Sequence, residues 1–244
     1  MYSIEPLVCG HWVDAGPRIF YLGDLEAAVD IADIFWLVRG EGRTILVDVG
    51  VDSSDGQRIL PSLKQAPAER PDKLLAVRGV KPEGVTDVVL THLHWDHASP
   101  MLDRYTKARI YVQKRELDAV LRSRHAWFAR FTFPETVAKL EGQWRDRVHA
   151  VDGEEEVLPG LTCLWTGGHT PGHQSVIVET GKGRVAIAGD VVFTLRSWDE
   201  KIPCGFNSSL EQCFDAFDTL AKRAEVVLPG HDEGVVERYG ARIG

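Results

Sequence analysis

Short apolar runs recur along the chain, some alternating with polar positions and some unbroken, and they predict strands at Ile19 to Leu22, Ile34 to Val38, Thr44 to Val49, Thr86 to Leu90, Arg109 to Val112, Leu161 to Trp165, Ser175 to Glu179, Arg184 to Ala188 and Glu225 to Leu228. Alternation marks a strand with one face on a core, and an unbroken run marks one covered on both faces. Helical spacing appears between them. It is clearest from Ser209 to Ala224, where Leu210, Phe214, Phe217, Leu220 and Ala221 share a face and Ser208 with Glu211 reads as a capping box. Lys114 to Arg122 forms a second amphipathic pattern, with Leu117, Val120 and Leu121 on one side. Mixed strands and one-sided helices predict an α/β fold in which two sheets are sandwiched between helices.

The 244 residues suffice for one domain spanning positions 1–244, although length alone would also allow two smaller ones, and no repeat or low-complexity segment divides them. Gln65 to Asp72 reads as a polar surface loop, and Glu154-Glu155-Glu156 as a solvated one. From Arg124 to Arg147 the residues His125, Trp127, Phe128, Phe131, Phe133 and Trp144 crowd a charged segment, which predicts a helical cover over 114–147 serving either as substrate wall or as plain core. A net charge of -8 and a pI near 5.6 argue against a nucleic-acid partner. No apolar stretch approaches the ~20 residues needed to cross a bilayer, so no membrane role is expected. Cys9, Cys163, Cys204 and Cys213 lack CxxC spacing and no leader opens the chain, which predicts a reduced, cytoplasmic protein with Cys163 and Cys213 as small core residues.

The chemistry concentrates at Thr91-His92-Leu93-His94-Trp95-Asp96-His97, where three imidazoles and a carboxylate fall within six positions behind the strand Thr86 to Leu90. His92 and His94, two apart, project to one side and can chelate one ion, while Asp96 and His97 on the following turn can hold a second. Three more metal-type residues follow: His169 in Gly168-His169-Thr170-Pro171-Gly172-His173, Asp190 after Ala188-Gly189, and His231 after Pro229-Gly230. Asp190 and His231 ride on strand-to-loop junctions, where a rigid sheet positions reactive groups. Histidine and carboxylate donors without cysteine suit two divalent ions, Zn(II) first and Fe, Mn or Co as well.

The HxHxDH string, GHTPGH, AGD and PGH, with Ile45-Leu46-Val47-Asp48-Val49-Gly50 upstream, resemble the metallo-β-lactamase superfamily, and within it the N-acyl-homoserine-lactone lactonase group. The similarity extends over nearly the whole chain, notably through Gly168 to Thr180 and Pro203-Cys204-Gly205-Phe206. It implies an αββα sandwich in which His92, His94 and His169 bind one metal, Asp96, His97 and His231 bind the other, and Asp190 bridges both. It further implies a dinuclear hydrolase that opens a small cyclic ester or amide with a metal-bridging hydroxide, Asp96 passing a proton to the leaving group. The similar lactonases carry a tyrosine three residues after the bridging aspartate. Here that position is Phe193, which cannot donate a hydrogen bond.

Asp48, charged at the end of an apolar strand, is expected to orient a ligand histidine, and His173 to pin the GHTPGH loop. Trp36, Trp95, Phe193 and Trp198 lie in sequence beside strand ends or ligands and are candidates for an apolar substrate wall. Thioester hydrolysis of the glyoxalase II type is the alternative activity and a non-catalytic binding domain the alternative class; both groups of ligand types argue for the dinuclear hydrolase. The oligomeric state is open between monomer and homodimer.

Overall fold

A computed structural model describes residues 1–13, 15, 19–23, 29–122 and 125–244, with the side chain of Trp127 excepted. Of the expected cover, Ser123, Arg124 and the Trp127 side chain therefore lie outside the described residues. The strands are β1 (Tyr2–Trp12), β2 (Ile31–Gly40), β3 (Arg43–Val47), β4 (Leu63–Lys64), β5 (Asp87–Val89), β6 (Arg109–Gln113), β7 (Val148–Val151), β8 (Glu154–Leu158), β9 (Leu161–Trp165), β10 (Gln174–Thr180), β11 (Gly183–Gly189) and β12 (Val226–Pro229). The helices are α1 (Ser53–Gly56), α2 (Pro71–Ala76), α3 (Lys114–Leu121), α4 (Pro134–Glu141), α5 (Leu195–Glu200), α6 (Leu210–Arg223) and α7 (Val235–Tyr239).

The strands run in the order β12-β11-β10-β1-β2-β3-β5-β6-β7, with β9 on β10, β8 on β9 and β4 on β1. The two halves meet through β1 and β10, whose register pairs Tyr2 with Thr180. Burial divides them into layers. On β2, Ile34, Trp36 and Val38 enter a central core shared with Val176 and Val178 of β10 and Val185 and Ile187 of β11. The alternate residues Phe35 and Leu37 face a second core with Leu75, Leu117, Val137 and Leu140 from α2, α3 and α4. Ala186 and Ala188 of β11 face a third, closed by Cys213, Ala216, Phe217 and Leu220 of α6. Helices outside, two sheet halves inside: this is the expected αββα sandwich, and double coverage explains why β2 reads as an unbroken apolar run.

Several expectations need correction. Ile19 to Leu22 is not a strand; Phe20 forms only an isolated bridge to Cys204. β1 went unread because Pro6 and Gly10 interrupt it, yet it pairs with β2 from Tyr2–Gly40 to Trp12–Ile31, with a register shift between Val8 and Gly10. Glu154 to Glu156 belong to β8, not to a loop, and their charges face outward: Glu154 pairs with Arg223 and Glu155 with His149. Gln65 to Asp72 contains a 3-10 turn, Pro67–Glu69, and the start of α2. The cap of α6 is Ser209, whose Oγ accepts from Gln212 N at 3.3 Å, whereas Ser208 donates both its N–H and its hydroxyl to Gly168 O. Among the described residues no helix is long and apolar enough to cross a membrane.

Candidate metal centre

The ligand-type side chains follow the C-terminal ends of four strands: β5 leads to His92, His94, Asp96 and His97, β9 to His169, β11 to Asp190 and β12 to His231. Asp48, just past β3, is buried and takes a left-handed φ of 60°. Its hydrogen bonds explain that cost. One carboxylate oxygen accepts from Thr91 N at 2.8 Å, and the other from the Thr91 hydroxyl and from His97 Nδ1, each at 2.8 Å. Asp48 thereby ties the β3 end to the ligand loop and turns His97 Nε2 toward the centre. Gly189 is required for a related reason. With φ 61° it lies where a Cβ would stand 2.7 Å from His173 Nε2. That nitrogen accepts from Asp190 N at 3.0 Å, and His173 Nδ1 meets the Thr166 hydroxyl at 2.8 Å. His173 thus holds the backbone of Asp190 and has no ring nitrogen left for a metal.

The seven side chains converge as two groups. His92, His94, His169 and Asp190 form one and Asp96, His97 and His231 the other, the donor atoms within each lying within 4.8 Å of one another. Asp190 reaches both: Oδ1 is 3.2 Å from His97 Nε2, and Oδ2 is 3.2 Å from His231 Nε2 and 3.4 Å from His169 Nε2. His92 Nε2, His97 Nε2, Asp96 Oδ2 and Asp190 Oδ1 are buried without a hydrogen-bond partner. Buried polar atoms are ordinarily paired, so lone pairs aimed at a common point fit divalent cations, and an all-histidine and carboxylate set fits Zn(II) and its neighbours.

Electrostatics separate the groups. Burial pushes His92 well below the ordinary imidazole range and His94 to about 3, and it lowers His169. These rings are neutral and ready to coordinate. Burial also opposes charge on His97 and His231, but the carboxylates win: Asp96, Asp190 and Asp48 hold His97 well above its usual value, and Asp190 with Asp96 raises His231 to about 9. A cation entering there displaces protons.

A cavity of about 580 Å³ opens onto Asp96, Asp190, His94 and His169. Its walls are mainly apolar: Trp12, Trp95, Phe128, Phe131, Phe193 and Phe206 stand among them. The helical segment 114–147 divides its duties, with Ala119, Val120, Phe128 and Phe131 on the cavity and Phe133, Val137, Leu140 and Trp144 in core. Two of the four expected wall residues are elsewhere. Trp36 is 1% exposed in the central core, since its strand position faces the opposite sheet. Trp198 packs outside the sandwich against Phe217, with Lys201 Nζ 3.3 Å above its ring. Phe193 lines the cavity and stacks 4.4 Å from the His231 ring.

Three residues escaped the sequence reading. Trp12, at the end of the unread β1, stacks on Trp95 at 5.6 Å and lies 5.4 Å from His231. Glu116 reads as one polar position of α3, yet it is buried and accepts from Leu93 N at 3.1 Å, the Thr170 hydroxyl at 2.7 Å and Gly172 N at 3.0 Å. Asp33 is a charge inside the apolar run Ile31 to Val38, a signal that was available; it is 1% exposed, 3.7 Å from His231 Nδ1.

Residues 35–231 match the family model of the metallo-beta-lactamase superfamily. An N-acyl homoserine lactonase of Bacillus cereus is 30% identical over 225 residues, covering 85% of this chain and 83% of that protein. Among solved structures, an N-acyl homoserine lactone hydrolase with N-hexanoyl-L-homoserine bound at its catalytic metal centre superposes with a TM-score of 0.78 at 22% identity, covering 97% of this chain and 95% of that one. A probable metal-dependent hydrolase from Staphylococcus aureus gives a TM-score of 0.78 at 18% identity, over 95% and 90% of the two chains. With the layers, the strand-end histidines and the family match in agreement, the chain belongs to the metallo-beta-lactamase superfamily, among its metal-dependent hydrolases.

Proposed function

We propose that the protein is a dinuclear metal-dependent hydrolase that opens a lactone carrying an apolar substituent, N-acyl homoserine lactones being the class to test first. The observation that carries this reading is the pair of ligand-type groups, with Asp190 3.2 Å from both His97 and His231 of the second, at the base of a mainly apolar cavity. The lactonase names of its relatives support the substrate class. His92, His94, His169 and Asp190 would hold one ion and Asp96, His97, His231 and Asp190 the other. Two divalent cations supply Lewis acidity to a carbonyl and a nucleophile drawn from water near neutral pH.

The chain's own groups do the rest. Several polar wall residues are engaged within the protein: the Thr170 hydroxyl donates to Glu116, the Ser208 hydroxyl to Gly168 O and the Asn207 amide to Cys204 O, while the Arg130 guanidinium lies over the Phe131 ring at 5.4 Å. Phe193, where the similar lactonases have a phenol, offers no donor either. The wall therefore selects shape and apolarity more than hydrogen-bonding pattern. Trp12, Trp95 and Phe193 exclude water on one side, and Phe131 and Phe206, whose rings lie 6.3 Å apart, do so on another. Asp96 lines the cavity with Oδ2 3.1 Å from His97 Nε2, and it can carry a proton to the departing ring oxygen.

Metal analysis combined with a screen of N-acyl homoserine lactones, other lactones, cyclic amides and thioesters tests the proposal. We expect about two ions per chain and lactone opening that is lost to chelators and restored by Zn(II), Mn(II), Co(II) or Fe(II). One ion or none in active protein removes the dinuclear reading, and turnover confined to thioesters removes the lactonase reading.

A further inference from the structure

The two ligand groups differ in what stands behind their histidines. In the group of His92, His94 and His169 the outward nitrogens meet neutral acceptors: His92 Nδ1 lies 3.0 Å from the Thr91 hydroxyl and His169 Nδ1 lies 2.6 Å from Phe206 O. In the group of Asp96, His97 and His231 both histidines have a carboxylate at Nδ1. Asp48 accepts from His97 at 2.8 Å. Behind His231 the hydrogen bond goes to Ala32 O at 2.8 Å, and the carboxylate of Asp33 lies 3.7 Å from the same nitrogen.

Asp33 is costly where it stands. It is 1% exposed, and neither oxygen has a hydrogen-bond partner. It sits on β2 opposite Gly10, which has no side chain to reach it, and the indole N–H of Trp12, also buried, offers it at most a weak, poorly formed hydrogen bond. A buried carboxylate without donors is retained only if positive charge lies close by. Across the His231 ring, a bound cation would supply that charge at the point toward which Nε2 is directed, where Asp190 and Asp96 also converge. A carboxylate behind a ligand imidazole polarises its N–H and makes the opposite nitrogen a stronger donor.

We propose that Asp33 is a positioning residue for the metal position of Asp96, His97 and His231, and that with Asp48 it makes this the tighter of the two positions, filled first by a single equivalent of metal. The inference rests on the dinuclear reading and extends it: the two positions are electrostatically unequal by construction.

The test is competition titration of Zn(II) against a chromophoric chelator, using Asp33→Asn in two backgrounds. With His94→Ala crippling the first position, Asp33→Asn should weaken the remaining ion about 10–100-fold, the usual effect of losing an outer partner. With His97→Ala crippling the second position, Asp33→Asn should leave the remaining ion's affinity unchanged. The Co(II) absorption spectrum of otherwise wild-type protein at one equivalent should match the His94→Ala protein and not the His97→Ala protein. Asparagine keeps the shape and one acceptor, so a purely structural Asp33 would tolerate it, and the metal-free melting temperature should not fall. Asp33→Val, which removes the acceptor as well, should weaken the same position to a similar degree if it is charge that matters. Equal effects in both backgrounds, or none in either, would overturn the assignment while leaving two bound ions intact. Wild-type uptake of fewer than two ions would instead overturn the dinuclear reading, and this inference with it.

Discussion

Glu116 is a single side chain that joins two of the four ligand-bearing loops. One oxygen accepts from Leu93 N, beside His94, and the other from the Thr170 hydroxyl and Gly172 N, beside His169. The approach is so close that a Cβ on Gly172 would stand 2.0 Å from Glu116 N. Burial raises the Glu116 carboxyl above its ordinary value, and the three donors offset part of that shift. Glu116→Ala leaves all three donors buried and unpaired at about 1–3 kcal/mol each, so a loss of roughly 3–9 kcal/mol is expected. That is a large part of the ~5–15 kcal/mol that holds an ordinary domain together. Glu116→Gln should cost less. If the amide oxygen faces Thr170 and Gly172, only Leu93 N loses its acceptor, at about 1–3 kcal/mol. The assay is urea unfolding of the metal-free proteins, where a shifted midpoint at constant slope reports stability alone. Both variants should also weaken metal at the His92, His94 and His169 position more than at the other. If Glu116→Ala unfolds within about 1 kcal/mol of wild type, the donors find other partners and the stapling argument fails.

Asp190→Asn should lower turnover by more than about 100-fold, since outer partners alone are worth 10–100-fold and Asp190 contacts both groups; near-normal turnover with two ions bound would show that it does not join them. Phe193→Tyr places a hydroxyl in a wall of aromatic rings and should reduce kcat/KM for lactones, by about 1–3 kcal/mol if the hydroxyl finds no partner. A clear rise in kcat would show instead that a donor is missing from this enzyme. Metal-free protein should lose stability between pH 6.5 and 9, because His231 has a folded pKa of about 9 against 6.5 when unfolded, and its contribution, full below the lower value, disappears as pH passes the higher. The loss could reach about 3 kcal/mol. Urea midpoints in chelator that stay flat or rise over this range would refute the sign.

The metal-type residues were legible because their chemistry is local: six positions hold His92, His94, Asp96 and His97, and glycines mark the turns carrying the others. The sandwich was legible through β2, β3, β10 and β11, whose unbroken runs reflect cover on both faces. What stayed hidden depends on distant pairing. β1 contains Pro6 and Gly10, punctuation that normally ends a strand, and it persists because β2 pairs along its length. With β1 unread, Trp12 had no address. Trp36 and Trp95 look equivalent in sequence, each beside a strand end or a ligand. Only the pleat of β2 turns Trp36 into the sandwich, while Trp95 stacks on Trp12 at the cavity wall. Glu116 was invisible for a different reason: nothing in a helical pattern shows that a polar residue faces two loops from other parts of the chain.

Four carboxyl groups, Asp33, Asp48, Asp96 and Asp190, are each at most 6% exposed around one centre. In the metal-free protein burial pushes Asp33 up to about 8 and raises Asp48, whereas the rings of His97 and His231 outweigh burial and hold Asp96 and Asp190 below the usual carboxylate range. Such a cluster is a poor device for stability, because removing charges from water costs more than partial pairing returns. The sheet ends hold it by force of packing: Asp48 sits in a left-handed conformation, Asp190 follows a left-handed glycine, and both are anchored by hydrogen bonds to Thr91 and His173. Cations relieve what the scaffold enforces. The same buried carboxyl groups that burden the empty fold therefore favour metal uptake, and since Asp33 and Asp48 both stand behind His97 and His231, the relief is expected to be larger on that side.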